Sequence, residues 1–216
     1  MCASQCLAID QFCGNIILKS FLHVGCGMAT KSKTTAEFNS DNWSEIRLDI
    51  DPNVKPDIVG TMTDMSDVAT ASVDSLFSSH NIEHLYPHEI QLALNEFQRV
   101  LKPDGYAVVT CPDLQSVCAL IAEDKLTETA YQSPAGPIAA IDMLFGHRPA
   151  IAAGNLFMAH RSGFTKTTLL DSLISAGFQN AAAKRRFNHF DLWAIASKTD
   201  IGENNLARLV ESHFPD

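Results

Sequence analysis

The sequence predicts an α/β fold: a mostly parallel sheet layered between helices. Short apolar runs alternate with amphipathic segments along the whole chain. An early run, residues 16–24, feeds directly into Gly25-Cys26-Gly27, as a buried strand does when it ends at a ligand-facing turn. Two late runs, 181–187 and 190–197, are joined by a tight turn at Asn188-His189, and strands joined that closely are antiparallel. The sheet is therefore parallel over most of its width and closes with an antiparallel hairpin.

The elements follow in order. Residues 1–15 read as an N-terminal helix, with Cys2, Cys6 and Cys13 on one side as a small apolar face rather than a metal site. Strands are expected at 16–24, 46–50, 57–60, 73–78 and 106–111, the last after the turn Pro103-Asp104-Gly105. Between the fourth and fifth lies the clearest helix. Pro87 suits its first position, and Ile90, Leu94, Phe97 and Leu101 recur at helical spacing. A second helix starts near Thr165, carries Leu169, Leu170, Leu173 and Ile174, and stops at Gly177. Residues 112–164 are too long and too rich in proline and glycine for a simple crossover. They read as a partly helical lid over a substrate site. Residues 200–216 read as a short polar helix. The 216 residues are expected to form one domain.

Composition narrows the partners. The formal net charge is -9, which repels a phosphate backbone, so nucleic acid is not expected. Arg185-Arg186 is the only local basic pair that stands out, and it reads as strand surface. No apolar run reaches the roughly 20 residues that span a bilayer, and residues 1–14 lack the pattern of a signal peptide. Six scattered cysteines read as reduced thiols, which points to the cytoplasm. A small-molecule substrate is expected, and a homodimer is compatible with the sequence.

The chemistry starts at Gly25-Cys26-Gly27. Glycine there lets the chain turn sharply and lets a ligand touch the main chain. A dinucleotide fingerprint would place its third glycine at residue 30, which is Thr30, and residues 28–40 make a poor helix. A pyrophosphate site is disfavoured, whereas a ligand without phosphates needs only the close approach. Asp49 ends the second strand, where its carboxylate can accept from both hydroxyls of a ribose. Thr63-Asp64-Met65 follows the third strand, where an acid can accept from an exocyclic amine and an apolar neighbour can pack on a purine.

The strings LHVGCG, LDIDP, SSHNIEHL, EFQRVLKPDGY and TCPD, followed by LFGH, HRSGF and LLDSLISAGF, resemble the class I S-adenosylmethionine-dependent methyltransferases, and within them a small bacterial type-11-like subgroup. The resemblance runs in order from about residue 20 to residue 198. It implies a Rossmann-like seven-stranded sheet in the order 3-2-1-4-5-7-6, strand 7 antiparallel, with helices on both faces. It implies S-adenosyl-L-methionine as cofactor. Gly25, Cys26 and Gly27 would contact its methionine part, Asp49 its ribose, and Ile50, Asp64 and Met65 its adenine, with Ser79 and His80 lining the methyl end. Two positions depart from the usual pattern: His23 stands where most relatives carry an acid, and Ala29 where they carry a third glycine.

His80-Asn81-Ile82-Glu83-His84 falls where substrate would meet cofactor. His80 can serve as a base for the acceptor's proton, with His84 and His160 as further catalytic candidates. Glu83 and His84 can instead cap and brace the following helix. A metal reading draws on a resemblance to some small-RNA and quinone-pathway methyltransferases, whose acid is here replaced by His80, and no metal ligand is expected. Met158-Ala159-His160-Arg161 lies beside the lid, where Arg161 can hold a carboxylate or tie lid to helix. Asp113, His147 and Arg148 are weaker candidates of the same kind. The expected reaction is in-line methyl transfer to an oxygen or nitrogen of a small molecule. The alternative is a non-catalytic module that binds S-adenosylmethionine or a partner on the same fold. A nicotinamide-dependent oxidoreductase is disfavoured by the absent third glycine.

Overall fold

A computed structural model describes residues 18–215. Seven strands form the central sheet: β1 (Lys19–Val24), β2 (Trp43–Asp49), β3 (Ile58–Val59), β4 (Val73–Ser79), β5 (Leu101–Pro112), β8 (Asn180–Arg186) and β9 (Asp191–Ser197). Two more, β6 (Thr129–Ser133) and β7 (Gly136–Ala139), pair as a separate hairpin. The sheet order is β3-β2-β1-β4-β5-β9-β8, with β9 antiparallel to both neighbours. Counting only strands of the central sheet, this is the expected 3-2-1-4-5-7-6. The N-terminal helix expected over residues 1–15, with Cys2, Cys6 and Cys13, lies outside the described residues.

Strand alternation sorts side chains onto the two faces. Leu22, Val24, Leu76, Ala107 and Val109 face one way. They bury against Leu94 and Phe97 of α1 (Pro87–Val100) and Leu169 and Leu173 of α5 (Lys166–Ser175). Phe21, Phe77, Tyr106 and Val108 face the other way, against Phe38, Trp43 and α6 (Glu203–His213). On this second face no α-helix follows β1: a 3-10 turn, Lys31–Lys33, is the only helical piece between β1 and β2. Phe38 fills the space instead, stacked on Phe21 at 4.5 Å between centroids and edge-on to Trp43 at 5.0 Å.

The expected punctuation holds at most boundaries. Pro87 opens α1, and the Glu89 carboxylate accepts from the Tyr86 N–H at 2.8 Å, so Glu89 rather than Glu83 or His84 caps that helix. Thr165 caps α5, and Gly177, at φ +97°, lies just past its end. Pro103-Asp104-Gly105 is a bulge inside β5, where the register with β4 jumps from Val73↔Leu101 to Ser75↔Tyr106.

Residues 112–164 are partly helical, as expected, and also carry the β6–β7 hairpin. The helices are α2 (Leu114–Ala122), α3 (Ala140–Phe145) and α4 (Arg148–Ala152). Val117, Ile138, Ala140 and Met143 give the insertion a small core of its own. The arginines of β8 make no free basic patch. Arg185 pairs with Asp113 at 2.6 Å and Arg186 pairs with Asp191, both arginines mostly buried.

Candidate active site

The carboxyl ends of β1, β2 and β4 meet at one cavity of about 340 Å³, the place where open parallel sheets bind ligands. Gly25 and Gly27, at φ +64° and +52°, take the chain around its rim. Gly25 N–H and Cys26 N–H both donate to the Leu48 carbonyl, at 2.8 and 3.2 Å. Cys26 itself points into the core at 3% exposure, and burial pushes its thiol pKa up, so only its backbone borders the loop.

Asp49 holds the loop from the next strand. Its Oδ2 accepts from Gly27 N–H at 2.7 Å and its Oδ1 from Asp51 N–H at 2.9 Å, leaving further acceptor positions on a carboxylate that lines the cavity. Arg47, two residues earlier on β2, donates to the carbonyls of Gly27 (2.6 Å), Ala29 (3.1 Å), Lys55 (3.0 Å) and Val54 (3.3 Å). Behind them His23 Nδ1 bonds Glu45 at 2.6 Å, and burial holds the imidazole pKa below its ordinary value despite that carboxylate. A carboxylate from the neighbouring strand thus lies beside the position where the resemblance expects an acid.

Ile50 stands at the cavity mouth, 45% exposed, with Val54 and Met62 also in the lining. The structure does not bring Asp64 and Met65 there. The Thr61 hydroxyl accepts from the N–H groups of Thr63 and Asp64, curling the chain after β3. Met65 is thereby buried in the core with its N–H on Glu96, and Asp64 faces solvent. Thr61 and Met62 take the lining positions those two were expected to hold. Asn81 was not singled out from sequence. Its amide donates to the carbonyls of Val24 and Ser79, both at 3.0 Å, and lies where a Cβ on Gly25 would project.

Beyond Ser79, whose hydroxyl bonds that of Thr110 at 2.7 Å, the chain takes a left-handed step at His80, φ +56°. A 3-10 turn, Ile82–His84, follows. His80 lies deep among surrounding atoms, yet 48% of its side chain faces open cavity. Burial disfavours its imidazolium, but the adjacent Glu83 at 3.4 Å outweighs this and raises its pKa. Glu83 is 1% exposed, and neither carboxylate oxygen has a partner at hydrogen-bond geometry. Burial works against its charge, but the surrounding histidines prevail and hold its pKa low. His84 and His160 complete the group, their rings 5.0 Å apart. Burial lowers the His160 pKa despite Glu83.

A second cavity of about 250 Å³ opens on the other side of this cluster. His80, Glu83, His84 and His160 form one wall, and Tyr131, Ile138, Asp142, Met143 and His147 from the insertion form another. His80, His84 and Met158 border both cavities. Arg161 lines the first, donates to the His84 carbonyl at 2.8 Å and stacks over Tyr86. Asp113 and Arg148 are held in ion pairs, with Arg185 and with Asp142.

Residues 22–109, which carry the glycine loop, Asp49 and the His80–His84 turn, match the family model described as a methyltransferase domain. Similar solved structures include the 1,6-didemethyltoxoflavin-N1-methyltransferase of Burkholderia thailandensis, holding 1,6-didemethyltoxoflavin and S-adenosylhomocysteine. It is 16% identical over 85% of this chain and 72% of its own, with a TM-score of 0.52. A methyltransferase dependent on S-adenosylmethionine from Archaeoglobus fulgidus is 15% identical over 83% of this chain and 86% of its own, with a TM-score of 0.55. Other matches are longer: this chain spans 63% of a Bordetella parapertussis protein and 48% of the citrinin polyketide synthase CMeT domain chain. No curated protein matches the chain in sequence. Residues 22–109 thus match a methyltransferase domain, and they lie in a Rossmann-like sheet. The chain shares this fold with solved methyltransferases that depend on S-adenosylmethionine. Among the described residues, no helix is long and apolar enough to cross a membrane.

Proposed function

We propose that the chain methylates an oxygen or nitrogen of a small molecule bound under the insertion. The observation that carries this reading is the pair of cavities meeting at His80 and His84, one at the glycine loop and one walled by residues 131–147. Gly25, Gly27 and Asp49 would hold the cofactor's methionine and ribose parts, with Ile50 and Met62 against its adenine. When bound, S-adenosylmethionine supplies a methyl group already activated by its sulfonium. The protein's task is to align the acceptor, exclude water and remove a proton. His80, open to both cavities, is the residue placed to take that proton. His160 is less well placed, because its Nδ1 is on the Met143 carbonyl at 2.8 Å and its side chain is only 10% exposed.

The test is calorimetric titration with S-adenosylhomocysteine, followed by a screen of small hydroxyl and amine acceptors with isotope-labelled methyl donor. Binding with label transferred to an oxygen or nitrogen supports the reading. Absence of binding overturns it, and label found only on carbon or on macromolecules overturns the choice of acceptor.

A further inference from the structure

We infer that Glu83, His84 and His160 bind one divalent first-row transition-metal ion on the wall of the second cavity, with a coordination position open to an oxygen of the acceptor. The ligand set rests on side-chain geometry alone. Only the acceptor's part in it rests on the methyl-transfer reading.

The first observation is the grouping. One donor atom from each of the three residues lies within 4.8 Å of the other two, and His160 Nε2 is 4.0 Å from Glu83 Oε1. A tetrahedral site with ligand bonds of about 2.0–2.1 Å needs donors roughly 3.4 Å apart, so modest side-chain rotations close it. Two imidazoles and one carboxylate suit zinc, cobalt or iron rather than magnesium or calcium, which take mainly oxygen donors.

The second observation is independent of spacing. The Glu83 carboxylate is 1% exposed, and neither oxygen has a hydrogen bond of acceptable geometry. His80 Nδ1, at 3.4 Å, offsets part of the cost of burying this carboxylate, and a coordinated cation would remove more of it. Its backbone cannot easily move away, because the Glu83 carbonyl accepts from Arg161 N–H at 2.9 Å and Ser162 N–H at 3.1 Å.

The third is how the histidines are held. His84 Nδ1 faces the Ala159 carbonyl at 3.1 Å and His160 Nδ1 faces the Met143 carbonyl at 2.8 Å. A carbonyl only accepts, so each Nδ1 carries the proton. A ring held in this way presents Nε2 as its ligand atom. Such backbone partners fix the tautomer and orientation of metal-bound histidines. The ligands come from distant stretches, the turn after β4 and the segment before α5, and the insertion's Met143 orients one of them. Three protein ligands facing a cavity match the layout of catalytic sites that keep one position for water or substrate. The second cavity, bordered by all three residues, would supply that ligand beside His80.

The test uses the tag-free full chain after dialysis against a chelator. Titration with Co²⁺ is followed by visible d–d absorption, with Zn²⁺ calorimetry in parallel. The expected result is one ion per chain, a four- or five-coordinate cobalt spectrum without thiolate charge-transfer bands, and a spectral change on adding acetohydroxamate as an oxygen-donor probe. Glu83→Gln and His160→Asn should each weaken cobalt binding by at least about tenfold while leaving S-adenosylhomocysteine affinity intact. A spectrum of free hexaaqua cobalt overturns the inference, as do thiolate bands or binding unchanged in both variants. An unchanged spectrum with acetohydroxamate overturns the open position. If a variant fails to fold, the wild-type spectrum alone still decides. Loss of S-adenosylhomocysteine binding by wild-type protein would count against the methyl-transfer reading and leave the metal result standing.

Discussion

The side-chain amide of Asn81 occupies the space into which a Cβ on Gly25 would project. The glycine loop is thus closed from behind by the turn after β4. Gly25→Ala meets two penalties, the left-handed φ of +64° and the collision with Asn81. About 2 kcal/mol or more is expected, which lowers the melting temperature by roughly 5 °C in a chain of this size. Affinity for S-adenosylhomocysteine should fall at least tenfold. Adding Asn81→Ala relieves the collision only, so the double variant should be more stable than the sum of the two singles predicts. Strict additivity in thermal melts would disprove the contact.

Asp49→Asn tests the carboxylate at the end of β2. Its two oxygens accept from Gly27 N–H and Asp51 N–H, and the amide keeps only one acceptor oxygen. S-adenosylhomocysteine affinity should fall about 10- to 100-fold by calorimetry, the scale of losing one or two charge-assisted hydrogen bonds. The 2′-deoxy analogue should lose less between wild type and variant than the natural ligand does. Equal losses for both ligands would place Asp49 in loop support and not in ribose recognition.

These two residues show how unevenly the site was legible. Gly25 and Asp49 sit at strand ends, where alternation and the glycine run fix position to within a residue. The family resemblance assigns Asp64 and Met65 to the adenine, but the Thr61 hydroxyl curls the chain after the two-residue β3 and Met65 lies in the core. A hydroxyl that bonds the backbone two and three residues on leaves no periodic trace. Asn81 and Arg47 act by reaching backbone carbonyls, which composition cannot reveal. His160 was noticed beside the lid, but its approach to Glu83 depends on an insertion whose β6–β7 hairpin carries a plain Ser133-Pro134-Ala135-Gly136 turn. The tight turn of the final hairpin makes one strand antiparallel, while the order of the sheet follows from the family resemblance and not from any local pattern.

His213 gives the fold an acid limit. It is 3% exposed at the end of α6, with Nδ1 on the Thr35 hydroxyl and Nε2 on the Tyr106 hydroxyl, both at 2.8 Å. Burial lowers its pKa from the ordinary 6.5 to about 4. Between these values the unfolded chain binds more protons than the folded one. Stability is therefore full above about pH 6.5 and declines as pH falls to about 4, by up to about 3 kcal/mol from this residue. His23, also held low by burial, acts with the same sign. His213→Gln keeps hydrogen-bonding capacity but does not titrate. Its melting temperature should fall less steeply than wild type from pH 6.5 to 4, and parallel curves would refute the assignment.

Arg47 ties two loops together at one guanidinium. Four carbonyls accept from it, two after β1 (Gly27 and Ala29) and two after β2 (Val54 and Lys55). Both loops border the first cavity, through Gly27 on one side and Val54 on the other. A planar fork reaches several acceptors at fixed angles, and an ammonium does not. Arg47→Lys should therefore resemble Arg47→Met more closely than wild type, although it keeps the charge. Both variants should weaken S-adenosylhomocysteine binding by about tenfold, and amide exchange should quicken in residues 27–30 and 52–55 while the β4–β5 core stays protected. If lysine restored affinity and exchange protection, positive charge rather than the four-carbonyl clamp would be what shapes the pocket.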